Sequence, residues 1–357
     1  MRQQPPIRIQ RLINQRLLQP SFETPAEVVR WLGAVQAQDY LGALWAIGCR
    51  LPGATEESVE RAIGERTIVR TWPMRGTIHF VPAEDAHWMV KLIADRVNGR
   101  VQSIYRRLNL DETALAHSQE VVTQALQGGK LLARKDLYAR LDEAGIGTGD
   151  GRGLQIVGHL ARLGLICFGP RQGKQPTFVL LDEWVPEARR CEPEDPLAEM
   201  ALRYFRSHGP ATIRDFAWWS GLLVAEAQHG LEAVRSQLSE VTIAGDTYWW
   251  TDSPANVAFN STSLFLLPAY DEYLVSYKDR SASLDPGCEW LLKGENHLRA
   301  TLVIDGLVVG NWKRTFENGA VRVETTLARE LSGAENKRFE DALRCYGEFL
   351  GMSVVSG

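Results

Sequence analysis

The chain has 357 residues, 45% of them hydrophobic and 24% charged, enough apolar residues to bury two or three cores and too many for a disordered chain. Its net charge of −4 argues against a uniformly basic nucleic-acid binder, and no apolar run approaches the roughly 18 residues of a membrane span. The first residues, Met1 to Pro6, lack the apolar stretch of a secretion signal. The five cysteines (Cys49, Cys167, Cys191, Cys288, Cys345) form no CxxC pair, so a reducing cytoplasm is expected.

In chain order, Thr24-Pro25-Ala26-Glu27 reads as a helix cap with proline in the first turn, and a helix from there is expected to run out near Gln36. Leu41–Leu51 is apolar, and 58–66 reads as a helix. Residues 68–81 have strand composition with a turn-like Pro73 and Gly76. A longer helix is expected from 82–85 towards Gly99. Residues 111–128, 134–144 and 154–163 follow as three helices, then a hairpin with a polar turn at 169–176 carrying Arg171 and Lys174. After an acidic, Pro-rich linker at 192–196, helices at 197–207, 212–220 and 223–238 precede a short ribbon at 241–251. A hairpin around Asp305-Gly306, a strand at 321–326 and a helix at 336–350 close the chain. The fold expected is α+β and helix-rich, with helices followed by ribbons repeating as tandem winged-helix units. The boundaries expected are 1–110, 111–190 and 191–262 for three such units and 263–357 for an α+β region carrying a β-hairpin.

The charge is unevenly spread. Residues 1–110 carry net +5, whereas 111–195 and 196–275 carry −3 and −5. The positive excess thus falls where Gln36 and Gln38 stand, two amides separated by one small residue. On an extended segment they share a face, roughly 7 Å apart. Arg75, Thr77 and His79 alternate on one face of the expected strand. Lys91, Arg96, Arg100, Arg106 and Arg107 form a basic run opposed only by Asp95. Lys313-Arg314 and Arg280 are further phosphate candidates. The adjacent Asp271 and Glu272 point apart on an extended chain and read as structural. Trp218-Trp219 and Tyr248-Trp249-Trp250 read as core rather than base-stacking platforms. No HExxH, P-loop, GxGxxG or GxSxG context appears.

Arg11-Leu12, Gln15-Arg16-Leu17, Val35-Gln36-Ala37-Gln38-Asp39, the run Trp72 to Phe80, Leu267-Pro268-Ala269-Tyr270-Asp271 and Val303-Ile304-Asp305-Gly306 together carry a resemblance to the AlkZ-like (AlkZ/YcaQ) winged-helix DNA glycosylases. The resemblance spans nearly the whole chain. It implies tandem winged helices around a DNA-sized channel and excision of N7-alkylated guanine, in some members from interstrand crosslinks, in DNA repair or self-resistance. The family's Gln-apolar-Gln catalytic motif maps onto Gln36 and Gln38. Arg75, Thr77, His79, Arg96, Arg100, Arg106, Arg107, Lys313 and Arg314 are the expected DNA contacts, and Asp39 reads as structural. The partner implied is double-stranded DNA containing alkylated guanine, with no metal, organic cofactor, membrane or lyase step, and a monomer is expected. The competing reading is a non-catalytic winged-helix regulator using 151–163 as recognition helix and 169–176 as wing, against which the acidic balance of the later units counts.

Overall fold

The computed structural model describes residues 6–251, 262–285, 287–292, 299–317 and 319–356. The chain forms two compact units, one from residues 1–59 with 197–357 and the other from 60–196. The first of the four segments expected from sequence is therefore shared between the units, and the end of the third falls on 252–261, outside the described residues.

The first unit opens with α1 (Ile7–Asn14) and α2 (Pro25–Leu32). Thr24 and Glu27 close a reciprocal capping box on α2, as the sequence indicates. The helix ends earlier than expected, however. Gly33 takes φ 78°, a left-handed conformation that stops α2 and frees β1 (Val35–Gln36) to be extended. The apolar run then becomes α3 (Tyr40–Gly48), and α4 (Glu56–Gly64) crosses into the second unit.

The second unit contains β2 (Ile68–Met74) and β3 (Thr77–Pro82), joined by a two-residue turn in which both Arg75 (φ 53°) and Gly76 (φ 75°) are left-handed. Pro73 lies inside β2 rather than in the turn. The next helix, α5 (Ala86–Arg107), passes through Gly99 instead of stopping there. Buried Val97 and Tyr105 on either side anchor it, and that packing outweighs the roughly 1 kcal/mol that an interior glycine costs. There follow α6 (Glu112–Leu126), β4 (Leu132–Ala133), α7 (Arg134–Glu143), α8 (Arg152–Arg162), β5 (Ile166–Gln172), β6 (Gln175–Leu180) and the short α9 (Leu181–Trp184). Strands of this unit run in the order β3-β2-β5-β6-β4, and the β5–β6 turn is tighter than expected, at Gly173-Lys174. Val122, Leu126, Leu137, Ile156, Leu160 and Phe168 belong to its core.

At the edge of that core, half-buried His159 packs edge-on against Tyr105, whose hydroxyl is 3.3 Å from His159 Nδ1 and also receives Arg162 Nη2. Burial, reinforced by the Arg162 charge, pushes the His159 pKa down to about 4. An unfolded chain takes up a proton near pH 6.5, whereas the folded one stays neutral until about pH 4. Stability therefore falls as pH drops through that window. His159→Gln is expected to flatten the decline in urea midpoint between pH 7 and 4.5, and an unchanged decline would assign it to other groups.

The chain returns to the first unit with α10 (Pro196–His208), α11 (Ile213–Ser220), α12 (Val224–Val234) and the hairpin β7 (Ser239–Ile243)–β8 (Asp246–Trp250). Then come β9 (Leu264–Leu267), α13 (Glu272–Val275), β10 (Thr301–Ile304), β11 (Leu307–Glu317), β12 (Ala320–Leu327), α14 (Gly333–Leu350) and β13 (Ser353–Ser356). Their sheet runs β13-β12-β11-β10-β9. The Asp305-Gly306 turn closes β10–β11 with both residues left-handed, as that dipeptide favours. Edge strands β9 and β13 were not expected, since each is four residues long and without alternation. Trp219 and Trp249 are core residues as read, but Trp218 is 43% exposed and donates its indole N–H to the Val275 carbonyl.

Candidate functional site

Gly33 ends α2, so Val35-Gln36 is extended and Gln36 and Gln38 project together. Gln36 Nε2 donates to Gln38 Oε1 at 2.6 Å. The two are unequal: Gln36 is 6% exposed, and Gln38 is exposed. A buried amide thus orients an exposed one. Asp39, next along, turns away from this pair. It caps α3 by accepting from the Gly42 N–H and takes Arg314 Nη2 at 3.3 Å on each oxygen, the structural role read for it.

The backbone beneath the pair is held by Glu272. Its Oε1 accepts the Gln36 N–H at 3.0 Å, and its Oε2 accepts the Trp219 indole N–H at 3.0 Å and the Ser276 hydroxyl. His208 Nε2 lies 3.4 Å from the same oxygen, at ion-pair distance but without the alignment of a hydrogen bond. Burial pushes the His208 pKa down while Glu272 pulls the other way, and the net effect is downward, which favours the neutral ring.

Beside Glu272, Asp271 grips Arg50 with two contacts of 2.8 Å, and both side chains are almost fully buried. Gln15 is tied into the same network. Its carbonyl and its Oε1 each accept from Arg50, and its Nε2 donates to the Glu272 carbonyl and to Tyr277. Burial alone would lower the Arg50 pKa, but Asp271 carries it above the usual arginine range. The adjacent acids do point apart, as read, yet Glu272 reaches the glutamine pair from 236 residues away. Sequence reasoning missed it as a site residue. The only available signal was its place directly after the Leu-Pro-Ala-Tyr-Asp run.

The other expected site residues divide by unit. In the second unit, Thr77 begins β3 and donates to the Met74 carbonyl, while Arg75 sits in the turn rather than on a strand. The left-handed turn nevertheless brings Arg75 Nη2 to 3.3 Å from His79 Nε2, and His79 Nδ1 lies 3.0 Å from the Thr77 carbonyl. His79 is fully buried, Arg75 and Thr77 partly so. On α5, Arg106 and Arg107 are exposed and Arg96 is half-buried. The Arg100 side chain lies outside the described residues.

In the first unit, Lys313 pairs with Glu324 across the β11–β12 register at 2.7 Å on the surface, and Arg314 is committed to Asp39. Arg280 donates to the Leu274 carbonyl, and burial lowers its pKa. Among the described residues no group of three or more His, Cys, Asp or Glu could hold a metal ion, and no helix is long and apolar enough to cross a membrane.

Comparison with known proteins agrees with the resemblance. The family model described as "DNA glycosylase AlkZ-like" matches residues 29–349. An "Interstrand DNA cross-link repair glycosylase" of Streptomyces sahachiroi is 26% identical over 327 residues, covering 86% of this chain and 85% of that protein. The solved structure of the DNA glycosylase AlkZ from the same organism shares the fold at a TM-score of 0.78, with 24% identity and 98% of each chain covered. With the family model spanning most of its length, the chain belongs to the AlkZ-like DNA glycosylase family and is a hydrolase of N-glycosyl bonds.

Proposed function

We propose that this glycosylase releases N7-alkylated, cationic guanine from duplex DNA as a monomer, and that it unhooks interstrand crosslinks as the name of its Streptomyces relative describes. Gln36 and Gln38 are the proposed catalytic pair. The observation that carries this reading is the bonded pair of neutral amides, with the neighbouring carboxylates of Asp39 and Glu272 committed to other donors.

A glutamine does not titrate near neutral pH and cannot serve as a conventional general acid or base. N7 alkylation makes that unnecessary. As the C1′–N9 bond breaks, its electron pair neutralises the cationic base, which leaves without a proton. Water adds to C1′ of the oxocarbenium-like sugar, and its surplus proton passes to solvent. The enzyme's part is to align that water and to aim amide dipoles at the developing positive charge. Gln38, the exposed member, would face the substrate, and buried Gln36 would hold it in place. Arg75 and Thr77 are proposed to contact the DNA, with His79 acting through Arg75. Arg96, Arg100, Arg106 and Arg107 are proposed phosphate contacts, as are Lys313 and Arg314, which would have to exchange carboxylate partners for phosphate. The repeated helix-and-hairpin segments support reading the scaffold as tandem winged helices.

The test is base release from matched duplexes carrying one N7-methylguanine, one uracil or one mustard crosslink. Release of the methylated base and unhooking of the crosslink, with uracil untouched, is expected. Uracil release at a comparable rate would refute selection for a cationic leaving group.

Glu272→Gln provides a second check. It replaces an oxygen that accepts only donors with an NH₂, which loosens the Gln36 backbone. Single-turnover release is expected to slow by about tenfold, an effect about the size of one lost charge-assisted hydrogen bond. In a double-mutant cycle with Gln36→Ala the effect should vanish, because Glu272 acts through Gln36. A full tenfold further loss in the double mutant would make Glu272 a general support of the fold.

A further inference from the structure

The Gln15-Arg16-Leu17 run is only partly used by the buried network. Gln15 belongs to it, but Arg16 turns away. Arg16 follows α1 with φ 57°, a left-handed conformation that glycine or asparagine adopts with less strain. This places its guanidinium 4.4 Å over the Trp31 ring, and Arg206 of α10 lies 5.0 Å from the centre of the same ring. Trp31 is itself fixed by its indole N–H, which donates to the Asn14 carbonyl at 2.7 Å, and by Phe22, tilted against it at 6.1 Å.

Stacking on an indole accounts for where the two cations sit, but it does not neutralise them. The Nε atoms of both Arg16 and Arg206 are buried without a hydrogen-bond partner, and neither guanidinium forms an ion pair with a described residue. The neighbouring carboxylate, Glu199, is taken by Arg203 at 2.6 Å. Burial pushes the pKa of both arginines down; for Arg206 the Arg203 charge adds to it and Glu199, shared with Arg203, offsets only part.

The cluster adjoins the glutamine stretch. Trp31 is five residues before Gln36, and a Cβ on Gly33 would lie 3.5 Å from Trp219 and 3.8 Å from Arg203 Cβ. The chain between Trp31 and Gln36 therefore runs against the helices that carry Arg206 and the Glu272 partner Trp219.

We propose that Arg16 and Arg206, braced on Trp31, form a phosphodiester-binding clamp that grips the DNA backbone beside the glutamine pair. A guanidinium fork matches two phosphate oxygens, and a stacked one is already oriented for them. The missing counter-charge is then supplied by the substrate. The clamp rests on the enzyme acting on DNA and not on the roles of Gln36 and Gln38.

The experiment is the salt dependence of affinity for an undamaged duplex, read by fluorescence anisotropy for wild type, Arg16→Gln and Arg206→Gln. Each substitution is expected to make the slope of log K against log salt shallower by about 0.9, one phosphate contact each. Arg235→Gln controls for net charge, because Arg235 is exposed and already paired with Glu232 and Glu240. Its slope should match wild type. Should a glutamine variant fail to fold, Phe22→Glu leaves both arginines intact and gives them an internal carboxylate, with the same shallower slope expected. Wild-type slopes in the folded variants would overturn the clamp and leave the guanidinium groups as packing on Trp31. A wild-type protein showing no salt-dependent binding would instead remove the DNA reading on which the clamp rests.

Discussion

Gln36→Ala is expected to lower the single-turnover rate of N7-methylguanine release by about 100-fold, the usual effect of deleting one preorganised dipole at a site of developing charge. Gln38→Ala should do the same by a different route. On the proposed roles, Gln38→Ala removes the amide that would face the substrate, whereas Gln36→Ala leaves it without its 2.6 Å anchor. Because the amides work as one unit, the double variant should be only severalfold slower than either single variant, far short of the product of the two losses. Folding should be little affected by Gln38→Ala, since that side chain is exposed. Rates within twofold of wild type for both single variants would keep the enzyme and move its catalytic centre elsewhere.

Asp271→Ala should produce the largest loss of stability of any single substitution considered for this chain. It leaves the Arg50 guanidinium, which has no exposed surface, without the carboxylate that takes two of its donors. Breaking a buried pair from one side costs about 3–5 kcal/mol, a large part of the roughly 5–15 kcal/mol that holds a domain folded. The same change removes the cap of α13, where Asp271 accepts the Tyr273 N–H. A fall in melting temperature of about 10 °C is expected by calorimetry, confined to the transition of the first unit. Glu272 follows Asp271 directly, so activity should be lost at temperatures where wild type is fully folded. A shift under about 2 °C would mean that solvent reaches Arg50 and that the network is weaker than its geometry implies.

Local chemistry was legible in the sequence. The capping box of α2, the Asp-Gly turn of β10–β11, the three helices and hairpin of 111–181 and the pairing of Gln36 with Gln38 all depend on residues within a few positions of one another. Where such reading erred, a neighbour in space had overruled a neighbour in sequence. Gly99 looked like a helix stop, but core packing of Val97 and Tyr105 carried α5 through it. Trp218 looked like core, yet only its neighbour Trp219 faces the interior.

By itself, the sequence determined the family, the helix-rich α+β class and the amide pair, because motif spacing and backbone propensity act along the chain. Tertiary structure alone decided what surrounds and holds that pair. Glu272 bonds the Gln36 backbone across 236 residues, Arg50 finds Asp271 across 221, and Arg16 and Arg206 meet on Trp31. Such contacts leave no period in the sequence. The first two exist because a charged group taken out of water must find a polar partner wherever folding brings one within reach, and the third because a guanidinium stacks on an indole face that folding brings beneath it.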